Sequence, residues 1–224
     1  MFKLLQNPLM NIKDKNLMIS GHALKKDKIM LGNQISNEWM TDPKHLSFSL
    51  SRYKFVSKML EGCNKVLEVG AGEGFKSDIV FDVVKNLTLS DYTDIYKKDY
   101  KRNAKYIIHD FLEKKLKNFF DGIYALDVLE HIDKKKENIF IKNILSSLNK
   151  NGILIFGMPT IESQKYASKL SKIGHVNCKN KDNLRKLMQN FFHNVFMFSM
   201  NDEVVHTGYD KMSHYIFAVC ANKK

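Results

Sequence analysis

Arginine is nearly missing from this chain. Only Arg52, Arg102 and Arg185 occur, although Lys and Arg together number 36 and the net charge is +12 over 224 residues. Proteins that read base edges lean on arginine's planar fork. An excess made almost wholly of lysine and spread along the chain speaks for a solvated surface and a small anionic substrate, not for specific nucleic-acid binding. Cysteine is scarce too. Cys63, Cys178 and Cys220 are an odd number without a Cys-x-x-Cys pair, which argues against a disulfide framework and a zinc knuckle and fits a reducing cytoplasm. Nowhere do 18 apolar residues run together, and the opening Met-Phe-Lys-Leu-Leu-Gln-Asn-Pro is too short an apolar stretch for a signal peptide. A soluble, cytoplasmic protein with no membrane insertion is expected. Internal repeats and low-complexity tracts are also absent.

The length suffices for one α/β domain with its own core. Its most informative stretch is Lys65–Phe75, Lys-Val-Leu-Glu-Val-Gly-Ala-Gly-Glu-Gly-Phe. Val66, Leu67 and Val69 form an apolar, β-branched run that stops at Gly70, Gly72 and Gly74, which reads as a strand entering a tight turn. Glycines at alternate positions permit positive φ and leave no Cβ between backbone and ligand. The spacing differs from the dinucleotide fingerprint, and no Gly-Lys-Ser/Thr follows to seat a phosphate. A cofactor without a pyrophosphate is expected.

Val-Leu-Glu-Val-Gly-Ala-Gly-Glu-Gly resembles motif I of the class I S-adenosylmethionine (SAM)-dependent methyltransferases. The resemblance continues in order along the chain. Asn86–Ser90 reads as a second strand ending at Asp91, where an α/β nucleoside site places its ribose-hydroxyl acceptor; Asp91 matches motif II, with Tyr92 beside the adenine. Lys105–Ile108 reads as a third strand followed by His109, Asp110 and Phe111. In the family an Asp at this place accepts from the adenine amino group, and Asp also favours a helix N-cap. Asp121–Leu126 reads as a fourth strand leading into Asp127-Val128-Leu129-Glu130-His131, similar to motif IV of ubiquinone-pathway and sugar-modifying methyltransferases. The resemblance thus implies a cofactor site of Glu68, Gly70, Ala71, Gly72, Gly74, Asp91, Tyr92, His109, Asp110, Phe111, Leu126 and Asp127. Arg52, ahead of motif I, is implied as a partner of the cofactor carboxylate.

The expected architecture is a Rossmann-like α/β fold: a seven-stranded, mostly parallel sheet with an antiparallel edge, under an N-terminal helical cap. The cap spans residues 1–60 and the methyltransferase domain 61–224. Phe75–Val84, Ile139–Leu148 and Asp182–Phe192 read as helices, Asn149–Gly152 as a turn, and Ile153–Phe156 as a fifth strand. Strands near Val195–Met200 and His214–Cys220 should pair antiparallel, with a long connection between them.

Methyl transfer from a sulfonium needs little beyond alignment and a base. His131 and His175 are the base candidates, with Asp127 beside them. Asp127, Glu130 and His131 also offer two carboxylates and an imidazole to a hard divalent ion such as Mg²⁺, and a quinone-pathway methyltransferase has a similar metal-linked arrangement. No Asn/Asp-Pro-Pro-Tyr/Phe follows the fourth strand, which favours oxygen over an exocyclic nitrogen as acceptor. The runs 174–177 and 201–209 look similar to methyltransferases of bacterial surface-polysaccharide pathways. The expected activity is therefore O-methylation of a sugar, a nucleotide-linked sugar or a phosphorylated intermediate. The alternatives are a quinone or phenol acceptor, and an RNA-binding or regulatory protein on a methyltransferase fold.

Overall fold

The computed structural model describes residues 10–24, 30–96 and 104–224. The opening residues 1–9 and Arg102 lie outside them. The chain forms two compact units, Met1–Leu31 and Gly32–Lys224. In the first, helix α1 spans Ile12–Leu24.

The second unit begins with α2 (Asn33–Thr41) and α3 (Pro43–Leu60). Pro43 suits the first turn of α3, where its missing N–H costs nothing, and the Asp42 side chain accepts from the His45 amide to cap the helix start. Both helices fall within the span 1–60 expected as a cap, yet they share one compact unit with the sheet. Strands β1 (Lys65–Val69), β2 (Asn86–Asp91), β3 (Lys105–Ile108), β4 (Phe120–Leu126) and β5 (Leu148–Pro159) are parallel neighbours in the order β3-β2-β1-β4-β5. Beyond β5 the sheet turns antiparallel through β8 (Tyr215–Lys223), β6 (Phe192–Asn201) and the short β7 (Val204–His206). The eighth strand falls in the stretch expected to be a plain connection. It forms because Val204–His206 folds back to pair with Ser199–Asn201.

From Val66 to Val69 and from Gly122 to Leu126 every residue is buried, so the central strands β1 and β4 are covered on both faces. Leu67, Val69, Ile123 and Phe156 pack with Phe140, Ile141 and Ile144 of α5 (Glu137–Leu145) and with Leu184 and Met188 of α7 (Lys181–Gln189). On the other face Val66, Tyr124, Ile155 and Phe217 pack with Tyr53, Val56 and Leu60 of α3.

Two expected elements are corrected. The helix after the glycine turn is only α4, Asp78–Phe81. The residues before it are drawn into tight turns, with the Gly74 amide bonded to the Ala71 carbonyl. Residues 149–152 are not a turn but a strand. β5 runs through them, and the register jumps from Phe120↔Leu148 to Gly122↔Ile153, which takes up the extra residues as a bulge.

The strand order reverses between β1 and β4, and the crevice over the carboxyl ends of strands at such a point is where a doubly wound sheet opens a site. A cavity of about 720 Å³ lies there, inside the range of roughly 300–1,000 Å³ typical of small-ligand sites.

Candidate active site

The floor of the cavity is the turn after β1. Gly70, Gly72 and Gly74 have φ of +77°, +54° and +72°, a region only glycine enters freely. A Cβ on Gly70 would sit 2.4 Å from Val128 Cγ2, so no other residue fits there. At Gly72 a Cβ would meet only Gln34 Oε1 at 3.5 Å; this backbone faces open space, as a bound ligand requires. The turn is held by Gly70 and Ala71 amides donating to the Ser90 carbonyl, and by the Tyr106 hydroxyl donating to the Gly72 carbonyl at 2.8 Å.

Asp91 stands at the end of β2 against this turn. One of its oxygens accepts from the Gly72 amide at 3.0 Å and the other from the Thr93 amide. Each carboxylate oxygen accepts more than one hydrogen bond, so the group is oriented while still able to take a diol. Tyr92, His109, Asp110, Phe111 and Leu126 line the same cavity. Asp110 accepts from the Leu112 amide, pinning a turn and not a helix, and His109 Nε2 lies 3.0 Å from the Lys114 carbonyl.

Three expected site residues have other partners than the sequence suggested. Glu68 does not line the cavity. It points to the α3 face, where Tyr53 and Tyr124 hydroxyls donate to it at 2.8 and 2.6 Å. The reason is strand alternation: Glu68 shares a sheet face with Val66, opposite Leu67 and Val69. Burial raises its carboxyl pKa against the pull of those hydroxyls. Arg52 also stays out of the lining. Its Nη1 donates to both oxygens of Asp127, which does line the cavity, and its guanidinium lies 4.0 Å over the Tyr215 ring. Asp127, expected beside Glu130 and His131, has both carboxylate oxygens bonded to Arg52 and is not among the ligand atoms that converge with theirs.

The ligand atoms that do converge, within 4.8 Å of one another, belong to Glu130, His131 and His175. Glu130 is fully buried, and both its oxygens lack a hydrogen-bond partner among the described residues. Burial first, and the Asp127 carboxylate second, hold its pKa well above the ordinary range. His131 Nδ1 lies 2.9 Å from the Gly174 carbonyl, and His175 Nδ1 lies 2.8 Å from Gln164 Oε1. Each Nδ1 faces an oxygen acceptor, so in the neutral ring it is Nδ1 that carries the proton and Nε2 that offers the lone pair, the arrangement second-shell partners give to metal-ligating histidines. Burial and the neighbouring His131 lower the His175 pKa, which keeps the imidazole neutral. The loop that carries His175 is fastened by Val176 and Asn177 amides on the Glu130 carbonyl. A buried Lys179–Glu137 ion pair at 2.7 Å, bridged by Asn177, adds a second anchor. An orphaned buried carboxylate with two oriented imidazoles fits a divalent ion.

Sequence reading missed Glu73. This buried residue of the glycine turn accepts from the Gln34 and Ile35 amides at 2.6 and 3.0 Å, capping α2 over the cavity. Its position inside a glycine motif gave no sign of a partner 38 residues upstream. Tyr106 was missed as well, since an aromatic in a strand reads first as core.

Residues 39–192 match the family model described as methyltransferase domain. No curated protein sequence matches the chain. Among solved structures, N-methyltransferase NodS from Bradyrhizobium japonicum WM9, in complex with S-adenosyl-L-homocysteine, aligns with a TM-score of 0.60 at 16% identity, over 83% of this chain and 90% of that one. A SAM-dependent methyltransferase from Clostridium acetobutylicum aligns with a TM-score of 0.65 at 11% identity, over 84% and 98%. The methyltransferase domain of bacterial CtHen1-C aligns with a TM-score of 0.64 at 16% identity, over 78% and 98%. The chain belongs to the methyltransferase-domain family, and its sheet, switch-point cavity and glycine turn are those of the class I SAM-dependent fold.

Proposed function

We propose that this methyltransferase moves a methyl group from SAM to a hydroxyl of a small molecule: a sugar, a nucleotide-linked sugar or a phosphorylated intermediate of surface-polysaccharide synthesis. The observation that carries the reading is the single cavity running from Asp91, past the bared backbone of Gly70–Gly74, to His131. Asp91 would hold the ribose hydroxyls, the glycine turn would bear the methionyl part, and His109–Phe111 would flank the base. Structures of NodS and DhpI hold S-adenosyl-L-homocysteine, and another of DhpI holds SAM with HEP, which supports the same donor here.

SAM supplies the electrophilic methyl and a neutral thioether leaving group. In the transfer the C–S bond breaks as the C–O bond forms, and the hydroxyl proton must leave. Holding the oxygen in line is worth about 7–11 kcal/mol, and that is the task of the cavity walls. Glu130, His131 and His175 would hold a divalent ion, which lowers the pKa of a bound hydroxyl. With an ion held there, the two imidazoles would serve as ligands and the hydroxyl proton would pass to solvent water; without one, His131 or His175 could take it.

The same cluster favours a second reading, a quinone-type or other phenolic acceptor. Cys63, Cys178 and Cys220 are free thiols, which supports a reducing cytoplasm as the compartment.

The test is calorimetric titration of SAM into the protein and into Asp91→Ala, followed by methyl transfer to panels of nucleotide sugars, sugar phosphates and catechols with EDTA and with added Mg²⁺. SAM binding weakened by the substitution supports the donor site, and unchanged affinity overturns it. Activity indifferent to EDTA removes the ion. Turnover of catechols alone selects the phenolic reading.

A further inference from the structure

The connection after β5 carries apolar side chains on its outside. It is built as a 3-10 turn (Glu162–Tyr166), the short helix α6 (Lys169–Gly174) and the loop to Lys179, and neither the turn nor α6 buries a residue. Tyr166, Leu170, Ile173 and Val176 are 81%, 82%, 75% and 61% exposed. Four large apolar side chains this bare within eleven residues make a patch that water alone does not explain. They flank His175, so the patch adjoins the rim of the active site.

Charge identifies the occupant. Residues 163–181 contain no Asp or Glu, while Lys165, Lys169 and Lys172 are exposed among the apolar residues. Lys165 Nζ lies 4.6 Å over the Tyr166 ring. A second copy of the chain is a poor partner, because a two-fold contact would set the same lysines against each other. Single-stranded nucleic acid is a poor one too, because it needs stacking aromatics and the patch is mainly aliphatic. Leu and Ile at the headgroup boundary with lysines beside the phosphates are what an anionic bilayer takes. Among the described residues no helix is long and apolar enough to cross a membrane, so any docking here is shallow.

We propose that residues 165–176 dock the enzyme on an anionic lipid surface and bring the mouth at His131 and His175 to acceptors held there. The docking does not depend on the donor or the metal, so its test stands apart from theirs.

The experiment is vesicle flotation of the full chain with phosphatidylcholine alone and with phosphatidylcholine–phosphatidylglycerol. Expected is binding to the mixed vesicles only, weakened by salt. At roughly 1 kcal/mol per lysine, Lys165→Ala/Lys169→Ala/Lys172→Ala should bind about 100-fold more weakly. Leu170→Glu/Ile173→Glu should not bind, with far-UV circular dichroism and SAM affinity unchanged because neither side chain is buried. Failure of the unaltered chain to float with mixed vesicles overturns the proposal, as does equal flotation with both. So does a dimer in sedimentation that Leu170→Glu/Ile173→Glu dissolves, since a second copy would then hold the patch.

Discussion

Arg52 and Asp127, 75 residues apart, meet through one guanidinium nitrogen that reaches both carboxylate oxygens at 3.1 and 2.9 Å. Asp127 has φ +55°, a conformation uncommon outside glycine. Backbone in that region persists only where its surroundings hold it, and the Arg52 grip is such a hold. Replacing Arg52 by Met leaves Asp127 without a counter-charge. Full burial would make that cost 3–5 kcal/mol; with the Asp127 side chain 36% exposed, about 2 kcal/mol is expected. Urea unfolding measures it. Arg52→Lys, which keeps the charge but has no planar guanidinium to lie over the Tyr215 ring, should recover only part.

Glu73 ties the glycine turn to α2. Glu73→Ala should cost roughly 0.5–2 kcal/mol as a lost helix cap, read as a lower urea midpoint at unchanged slope. Gly32→Ala should harm the same contact from the other side, because its Cβ would sit 2.4 Å from Glu73 Cδ. If the two substitutions together cost no less than the sum of each alone, they do not act on one contact.

Acid should loosen the same corner. Burial would raise the Glu38 pKa, but the His45 hydrogen bond and Lys76 at 2.9 Å outweigh it and hold the carboxyl at about 2, below its ordinary 4.5. A carboxyl depressed in the folded state adds stability that is complete above 4.5 and fades as pH falls toward 2. Glu38→Gln should therefore destabilise at neutral pH and make little difference at the acid end. An equal effect at both ends would show that Glu38 acts by packing.

Burial pushes the thiols of Cys178 and Cys220 up to about 12; at Cys178 the Glu130 and Asp127 carboxylates add to it. Since the thiolate is the nucleophile, iodoacetamide at mildly alkaline pH should label both only after unfolding. Mass spectrometry of peptides labelled with and without denaturant checks this. Fast labelling of native Cys178 would mean that the loop at 174–178 opens.

Much of the fold was open to a reading of the chain. Val66, Leu67 and Val69, then Leu87 and Leu89, then Ile123–Leu126 mark three short apolar stretches, and such stretches between glycine turns and amphipathic helices leave few arrangements other than a parallel sheet. The turn at Gly70–Gly74 announced itself because glycine takes that backbone far more freely than other residues. The shortness of α4 and the bulge in β5 did not, because each depends on what neighbouring strands require and not on local preference.

For the site, the residue types at the strand ends were set by the sequence alone: glycines at 70, 72 and 74, carboxylates at 91, 110, 127 and 130, imidazoles at 131 and 175. Which of them face one another was decided only by tertiary structure. Strand alternation sent Glu68 to the far face, Arg52 took Asp127 away from the cluster, and the loop anchored by Lys179 on Glu137 brought His175 to Glu130 in its place. A side chain's chemistry is written in its identity, but its partners depend on where distant backbone comes to rest.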